Sequence, residues 1–240
     1  MNVPREKTAR ATTDRVLVIM AKAPRPGAVK TRLVPSLSPS DVTALYCCLL
    51  KDTLALAQSL GDVEVAIMCP ESDVNDLAQM AGDEATVIAQ KGEGLAAGLA
   101  SVFRHFTENG RRRTIAFNSD SPHLPPSFLE NAFQTLVNHD VVIGPTHDGG
   151  YYLVGARASH PELFVRDGMG TSSALDALLA RARGLDLSIG FADPFYDVDV
   201  VDDLTRLAAE LRLAPEKAPR TANWIRDWRL APSSADTGKS

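Results

Sequence analysis

The sequence predicts an α/β fold: a three-layer sandwich in which a mostly parallel sheet carries helices on both faces. Three observations predict it. Short β-branched runs alternate with longer amphipathic runs along most of the chain, the pattern of repeated strand–helix units. The first strand ends in a Pro/Gly loop rich in Lys and Arg, at the edge where open α/β sheets bind ligands. No internal repeat or composition shift divides the 240 residues, a length that suits one large domain.

Each element follows from local signals. Arg15–Met20 is apolar and β-branched and reads as the first strand. Ser38-Pro39-Ser40-Asp41 supplies a cap, a proline at the first helical position and an acid three residues after the cap. The helix it opens repeats Val42, Leu45, Tyr46, Leu49 and Leu50 on one stripe and ends at Gly61. Val63–Cys69 is the second strand, Val74–Met80 a short helix and Ala85–Ala89 a third strand. Gly94–Phe106 reads as helix, Thr114–Asn118 as the fourth strand and Pro126–Val137 as a proline-initiated helix. Two strands follow, Val141–Ile143 and Tyr151–Val154, joined by a loop holding His147-Asp148-Gly149-Gly150. Helices over Ser172–Arg181, Val201–Leu211 and Thr221–Trp228, with a late strand at Leu187–Phe191, complete the pattern. Residues 1–14 read as a flexible extension, 15–230 as one domain and 231–240 as a disordered tail, small and polar from Pro232 on.

Composition narrows the partners. A net charge of −5 argues against general nucleic-acid binding, which leaves a basic footprint. The polar start carries no signal-peptide core, and no apolar run reaches membrane-span length. A cytoplasmic protein acting on small molecules is expected. Cys47, Cys48 and Cys69 have the spacing of neither a disulfide framework nor a zinc site.

Four segments carry candidate chemistry. In the first loop, Lys22, Arg25, Lys30 and Arg32 are held near one another by Pro24, Pro26 and Gly27, and phosphate is the expected guest. A solvated basic surface is the competing explanation. A Walker A loop does not fit, because Lys30-Thr31 follows Gly27 at the wrong distance and Val29 sits where the second Gly belongs. In the second segment, Asp120 lies just past the fourth strand within Ser119-Asp120-Ser121-Pro122, where a carboxylate suits a hard cation or caps the turn. Asp197 and Asp199 form the third, two residues apart in extended chain and so on one side of it. They would join Asp120 at a metal, or stabilise the N-terminus of the helix that follows. The fourth, Asp148-Gly149-Gly150-Tyr151-Tyr152, offers a candidate base in a strong hairpin-turn signal. His123 and His147 adjoin these acidic loops. Gly92, Gly94 and Gly98 border a strand-to-helix passage without the dinucleotide fingerprint.

The order of these blocks resembles the nucleotide-diphospho-sugar transferase superfamily, which includes sugar nucleotidyltransferases and glycosyltransferases of the GT-A type. Within it the chain looks like the bacterial group of guanylyltransferase-like glycosyltransferases, the radical-SAM/selenodomain-associated transferases. The resemblance rests on Met20–Leu33, Ser119–Pro125, Gly144–Gly155 and Asp197–Leu204, and covers roughly residues 15 to 212. Lys30-Thr31-Arg32-Leu33 is also similar to the loop of the guanylyltransferase of deazaflavin-cofactor synthesis. The resemblance implies a Rossmann-like GT-A-type sheet and a nucleotide over the first strand, its phosphates held by Lys30 and Arg32; Lys22, Arg25 and Gly92 are further candidate binding residues. It implies Mg2+ (or Mn2+) on Asp120, supported by Asp197 or Asp199. Three places depart from the group: Gly94–Leu99 replaces an acid-Leu-Gly…Arg-Met pattern, Met169 stands where Trp is common, and Val200 replaces a Thr.

Two reactions suit this set, with Lys30, Arg32, Asp120 and Asp148 as catalytic residues. In nucleotidyl transfer, a small phosphorylated acceptor attacks the α-phosphate of a nucleoside triphosphate, and cations stabilise the leaving pyrophosphate. In glycosyl transfer from a nucleotide-sugar, Asp148 is the candidate base. The density of cations favours the triphosphate. A nucleotide-binding protein without catalysis is the third possibility, opposed by the retained acids.

Overall fold

Strand β1 (Arg15–Met20) shows the alternation of a fully covered strand: Leu17 and Ile19 enter one core, Val16 and Val18 the other. In this computed structural model, which describes residues 13–165 and 173–230, β1 lies inside a seven-stranded sheet. The other strands are β2 (Glu64–Cys69), β3 (Thr86–Ala89), β4 (Arg113–Asn118), β5 (Val141–Pro145), β6 (Tyr151–Ala156) and β7 (Ile189–Phe191). Their spatial order is β3-β2-β1-β4-β6-β5-β7, and β6 alone runs antiparallel to its neighbours.

Register places the site. Met20 pairs with Met68 on one side and Asn118 on the other, and Cys69 pairs with Ala89. The loops after β1, β2, β3 and β4 therefore leave the sheet along one edge, the ligand edge of open α/β sheets.

Helices α1 (Pro39–Gln58), α2 (Val74–Ala81) and α4 (Pro126–Asn138) cover one face. Helices α3 (Gly94–Glu108) and α5 (Ala174–Gly184) cover the other. Ser38 caps α1 as its sequence predicts, its hydroxyl accepting from the Asp41 N–H at 3.1 Å. Helices α6 (Val201–Leu213) and α7 (Pro219–Leu230) add to the three layers. They pack on the outer side of α1 around Leu45, Leu49, Leu207 and Ile225, a third core that does not touch the sheet.

That outer core is fastened by a buried acid. Asp52 on α1 accepts hydrogen bonds from the Thr221 N–H and hydroxyl (2.8 Å each) and from the Arg220 N–H, and pairs with the Arg220 guanidinium. A carboxylate from another helix thus satisfies the opening N–H groups of α7. Trp224 and Trp228 stack 5.7 Å apart along the same helix, with Trp224 packed into the outer core.

Element bounds shift mainly where end chemistry overrides apolar periodicity. Helices α3, α4, α6 and α7 extend beyond their apolar stripes, and α7 starts at Pro219 rather than Thr221. Strand β7 begins at Ile189 instead of Leu187, since Ser188 is bound to Asp140 through both its N–H and hydroxyl. The predicted helix start at Ser172, Met169 and the tail 231–240 lie outside the described residues. No described helix is long and apolar enough to cross a membrane.

Candidate active site

The edge beyond β1, β2, β3 and β4 opens into a cleft of about 760 Å³, the size of a small-molecule site. Lys22 and Lys30 form one wall, Asp120 and Asp199 the inner end, and Gly92-Glu93-Gly94 the opposite lip. Gly92 (φ +85°) and Gly94 (φ +81°) adopt backbone conformations that side-chain-bearing residues avoid. The Gln90 amide donates to the carbonyls of both, bracing that lip.

Lys30 organises the inner end. Its backbone is left-handed (φ 47°, ψ 40°), a conformation rare outside glycine. Its side chain is only 5% exposed, with Nζ 2.8 Å from Asp120 Oδ2 and 3.2 Å from Asp199 Oδ1. Burial works against its charge, but the carboxylates of Asp120 and Asp199 outweigh it and raise the ammonium pKa. Asp199 also pairs through its second oxygen with Arg32, 2.7 Å away at the exposed rim.

Asp197 sits behind this cluster. Burial first, opposed by Lys30 and reinforced by the nearby Asp120 and Asp199, pushes its carboxyl up to about 6. The start of α6 has its own cap. Asp203 performs the helix capping, accepting from the N–H groups of Asp199 and Val200. Asp197 and Asp199 face Lys30 instead.

The two acid-bearing loops are stitched directly. Val198 N–H donates to the Asp120 carbonyl at 3.1 Å, and the buried Ser121 hydroxyl donates to the Tyr196 carbonyl at 3.0 Å. His123 fills the joint between Phe195 and Tyr196, fully enclosed, with neither ring nitrogen hydrogen-bonded. Burial drives its pKa down to about 4, against the pull of Glu210 at 3.8 Å.

Tyr46 is a site residue that apolar periodicity hid. It belongs to the buried stripe of α1, yet its hydroxyl accepts from Lys22 N–H and meets Ser119 Oγ at 3.1 Å on the cleft floor. Burial and Asp120 push it up to about 12, so it stays a neutral donor. A tyrosine within a stripe of leucines was the available signal, because a buried phenol needs a polar partner.

Not every candidate joins the cleft. Arg25 pairs with Asp73 and Asp76 and is committed to bracing the loop, whose Ala23 N–H also binds Asp73. Asp148 stands at the exposed tip of the β5–β6 hairpin, outside the cleft, bound by the Thr146 hydroxyl and the Gly150 N–H. The Thr146 bond, with Arg32 a smaller contributor, keeps its pKa lowered, which disfavours a base.

The donor set suits a hard divalent cation. Asp120 and Asp199 share the Lys30 ammonium, with Asp197 an electrostatic neighbour of both, and magnesium takes one or two carboxylate oxygens with water and phosphate. Lys30 and Arg32 together leave one negative charge uncompensated. Among the described residues no three acids, His or Cys stand in metal-binding array, consistent with the Lys30 ammonium lying between Asp120 and Asp199.

Comparison with known proteins places the chain among relatives. Residues 53–171 match a family described as an uncharacterized protein conserved in bacteria (DUF2064). The 2-phospho-L-lactate guanylyltransferase of Methanothermobacter thermautotrophicus is 31% identical over 180 residues, 73% of this chain and 76% of that protein. A candidate nucleotide-diphospho-sugar transferase from Desulfovibrio desulfuricans G20 superimposes with a TM-score of 0.84 at 24% identity, covering 91% of this chain and 96% of the other. A cytidylyltransferase from Leptospira borgpetersenii gives 0.58 at 12% identity, with 95% and 99% covered. The two structures share the fold.

Proposed function

This chain belongs to the nucleotide-diphospho-sugar transferase superfamily and is a transferase, and from that premise we propose nucleotidyl transfer from a nucleoside triphosphate to a small phosphorylated acceptor. One observation carries the proposal: a buried lysine joined to two acids at the ligand edge, with Lys22 beside it on the same cleft wall. Cations in that number suit a triphosphate whose pyrophosphate must leave. The name of the archaeal guanylyltransferase relative supports the same choice and suggests GTP with 2-phospho-L-lactate as the first pair to test.

In this reaction an acceptor phosphate oxygen attacks the α-phosphorus. The bond from that phosphorus to the β-bridging oxygen breaks, and pyrophosphate leaves with the electron pair. Lys22, Lys30 and Arg32 hold the β- and γ-phosphates and stabilise the charge that grows on the leaving group. The attacking phosphate is already ionised, so the step needs no protein base, and the position of Asp148 is no obstacle. Asp120 and Asp199, backed by Asp197, would hold Mg2+ or Mn2+. Such an ion supplies electrophilic activation of the phosphates and orientation of the chain. Tyr46, braced by Ser119, shapes the floor. We take residues 15–230 to act together as this catalytic unit.

The test is pyrophosphate release with Mg2+ across the four nucleoside triphosphates, each with 2-phospho-L-lactate and related three-carbon phosphates. Release that needs both substrates supports the proposal. No release with any pair, together with nucleoside diphosphate released from a nucleotide-sugar, would replace it with glycosyl transfer.

A further inference from the structure

Two loops line the cleft, and one helix joins them from below. Lys22 lies in the basic loop after β1, and Ser119-Asp120 opens the loop after β4. Between them stands Tyr46 of α1, buried like Ser119. The Tyr46 hydroxyl accepts from the Lys22 N–H at 3.2 Å and lies 3.1 Å from Ser119 Oγ. The Ser119 hydroxyl donates in turn to Asp120 Oδ1 at 3.2 Å. Further along α1, Thr53 donates to the Ser119 carbonyl at 3.3 Å, which fastens the same turn to the helix a second time.

Counting hydrogens gives these contacts a direction. A serine hydroxyl has one hydrogen to donate, and an ionised carboxylate has none. With the Ser119 hydrogen committed to Asp120, the Tyr46 hydrogen goes to Ser119, and the phenol oxygen receives the Lys22 N–H. The phenol keeps its hydrogen through the neutral range, since burial and Asp120 push it up to about 12. Donors aligned head to tail polarise one another. Asp120 is thus held on each oxygen by a different kind of group. Oδ2 meets the Lys30 ammonium at 2.8 Å, a charge for which a bound phosphate competes. Oδ1 meets the end of a neutral chain at the cleft floor, which offers phosphate no charge.

We propose that Tyr46 is a positioning residue: through Ser119 it fixes the rotation of the Asp120 carboxylate and ties it to the backbone of the loop that carries Lys22 and Lys30. The proposal rests on the functional assignment above, which makes Asp120 a site acid, and adds the residue that orients it. Because Tyr46 acts through Ser119, its effect falls on turnover and not on nucleotide affinity.

Tyr46→Phe removes one oxygen and leaves the ring in the α1 stripe. Its kcat should fall roughly 10- to 100-fold, the usual cost of losing an outer partner of a site ligand, with KM for the nucleotide unchanged. Turnover is read per folded molecule on whichever pair reacts, as pyrophosphate or nucleoside diphosphate released. Ser119→Ala should lose as much, and the double variant no more than the worse single, because both break one chain. Unchanged kcat in Tyr46→Phe, or losses that multiply in the double variant, overturns the proposal. Nuclear magnetic resonance gives a second reading without turnover. The Asp120 carboxyl carbon resonance, assigned by its absence in Asp120→Asn, should move in Tyr46→Phe as it does in Ser119→Ala. A resonance that only Ser119→Ala moves overturns the proposal. A resonance moved by both, in a protein without nucleotidyl transfer, would defeat only the assigned reaction.

Discussion

Two acids, the buried Asp52 and the half-buried Asp120, each paired with a cation far away in sequence, have opposite fates in this molecule. Asp52 lies between α1 and α7, where two N–H groups, a hydroxyl and a guanidinium satisfy it. Asp120 shares one ammonium with Asp199, and Asp197 stands close behind. The first environment is closed: every oxygen has its donors, and nothing remains to bind. The second holds more negative charge than its cations neutralise. Burial alone therefore does not mark a functional carboxylate, whereas incomplete compensation at a sheet edge does.

The largest expected break in this comparison comes from Asp120→Asn. Turnover should fall by about 10²–10³, the scale of losing one preorganised electrostatic group. The melting temperature should hold or rise, because the crowded carboxylates lose a charge; a matching loss of stability would refute the distinction. Lys30→Met should weaken nucleotide binding by roughly 10- to 100-fold, as expected for charge-assisted hydrogen bonds, measured by calorimetry with the triphosphate that turns over.

Asp52→Ala tests the other member. Losing the cap of α7 should cost about 2 kcal/mol, or roughly 4–8 °C in melting temperature for a chain of this size. Turnover per folded molecule should stay unchanged, and a drop in it would tie the outer core to the site.

Two smaller effects follow from pH. Asp197 titrates near 6 in the folded protein against an ordinary 3.8, so its contribution is complete below about 3.8 and lost as pH rises through 6. Melting curves of Asp197→Asn should show a gain above pH 6 and none near pH 4; a gain independent of pH would contradict this. His123 has the opposite sign. Lowered to about 4 from 6.5, it contributes stability above 6.5 that fades as pH falls toward 4. His123→Phe should flatten that acid slope while keeping the ring contacts with Phe195 and Tyr196, and an unchanged slope would show the imidazole to be irrelevant.

Much of this arrangement was legible in the sequence because local rules control it. Ser38-Pro39 announced α1, the β-branched runs announced the strands, and the first loop and Asp120 were singled out as residues that the fold brings together at the sheet edge. The rest depended on distant partners. Arg25 looked equivalent to Lys30 until Asp73 and Asp76, 48 and 51 residues on, proved to hold it. Asp52 and Tyr46 lay inside an apolar helix, and only the fold reveals that the stripe meets α7 on one side and the cleft floor on the other. The placement of α6 and α7 on α1 was hidden for the same reason, since periodicity shows that a face is buried but not against what.

The separation of Lys30 from Asp199 by 169 residues acquires a meaning in time. At ordinary rates of synthesis, roughly 5–20 residues per second, the lysine leaves the ribosome roughly 8–34 s before its second counter-ion. Strands β1 to β4 can assemble in that interval, presenting a basic edge without its full complement of acids. Lys30 would meet Asp120, its nearer partner, before the segment carrying Asp197 and Asp199 is made, so that segment completes the charge cluster last.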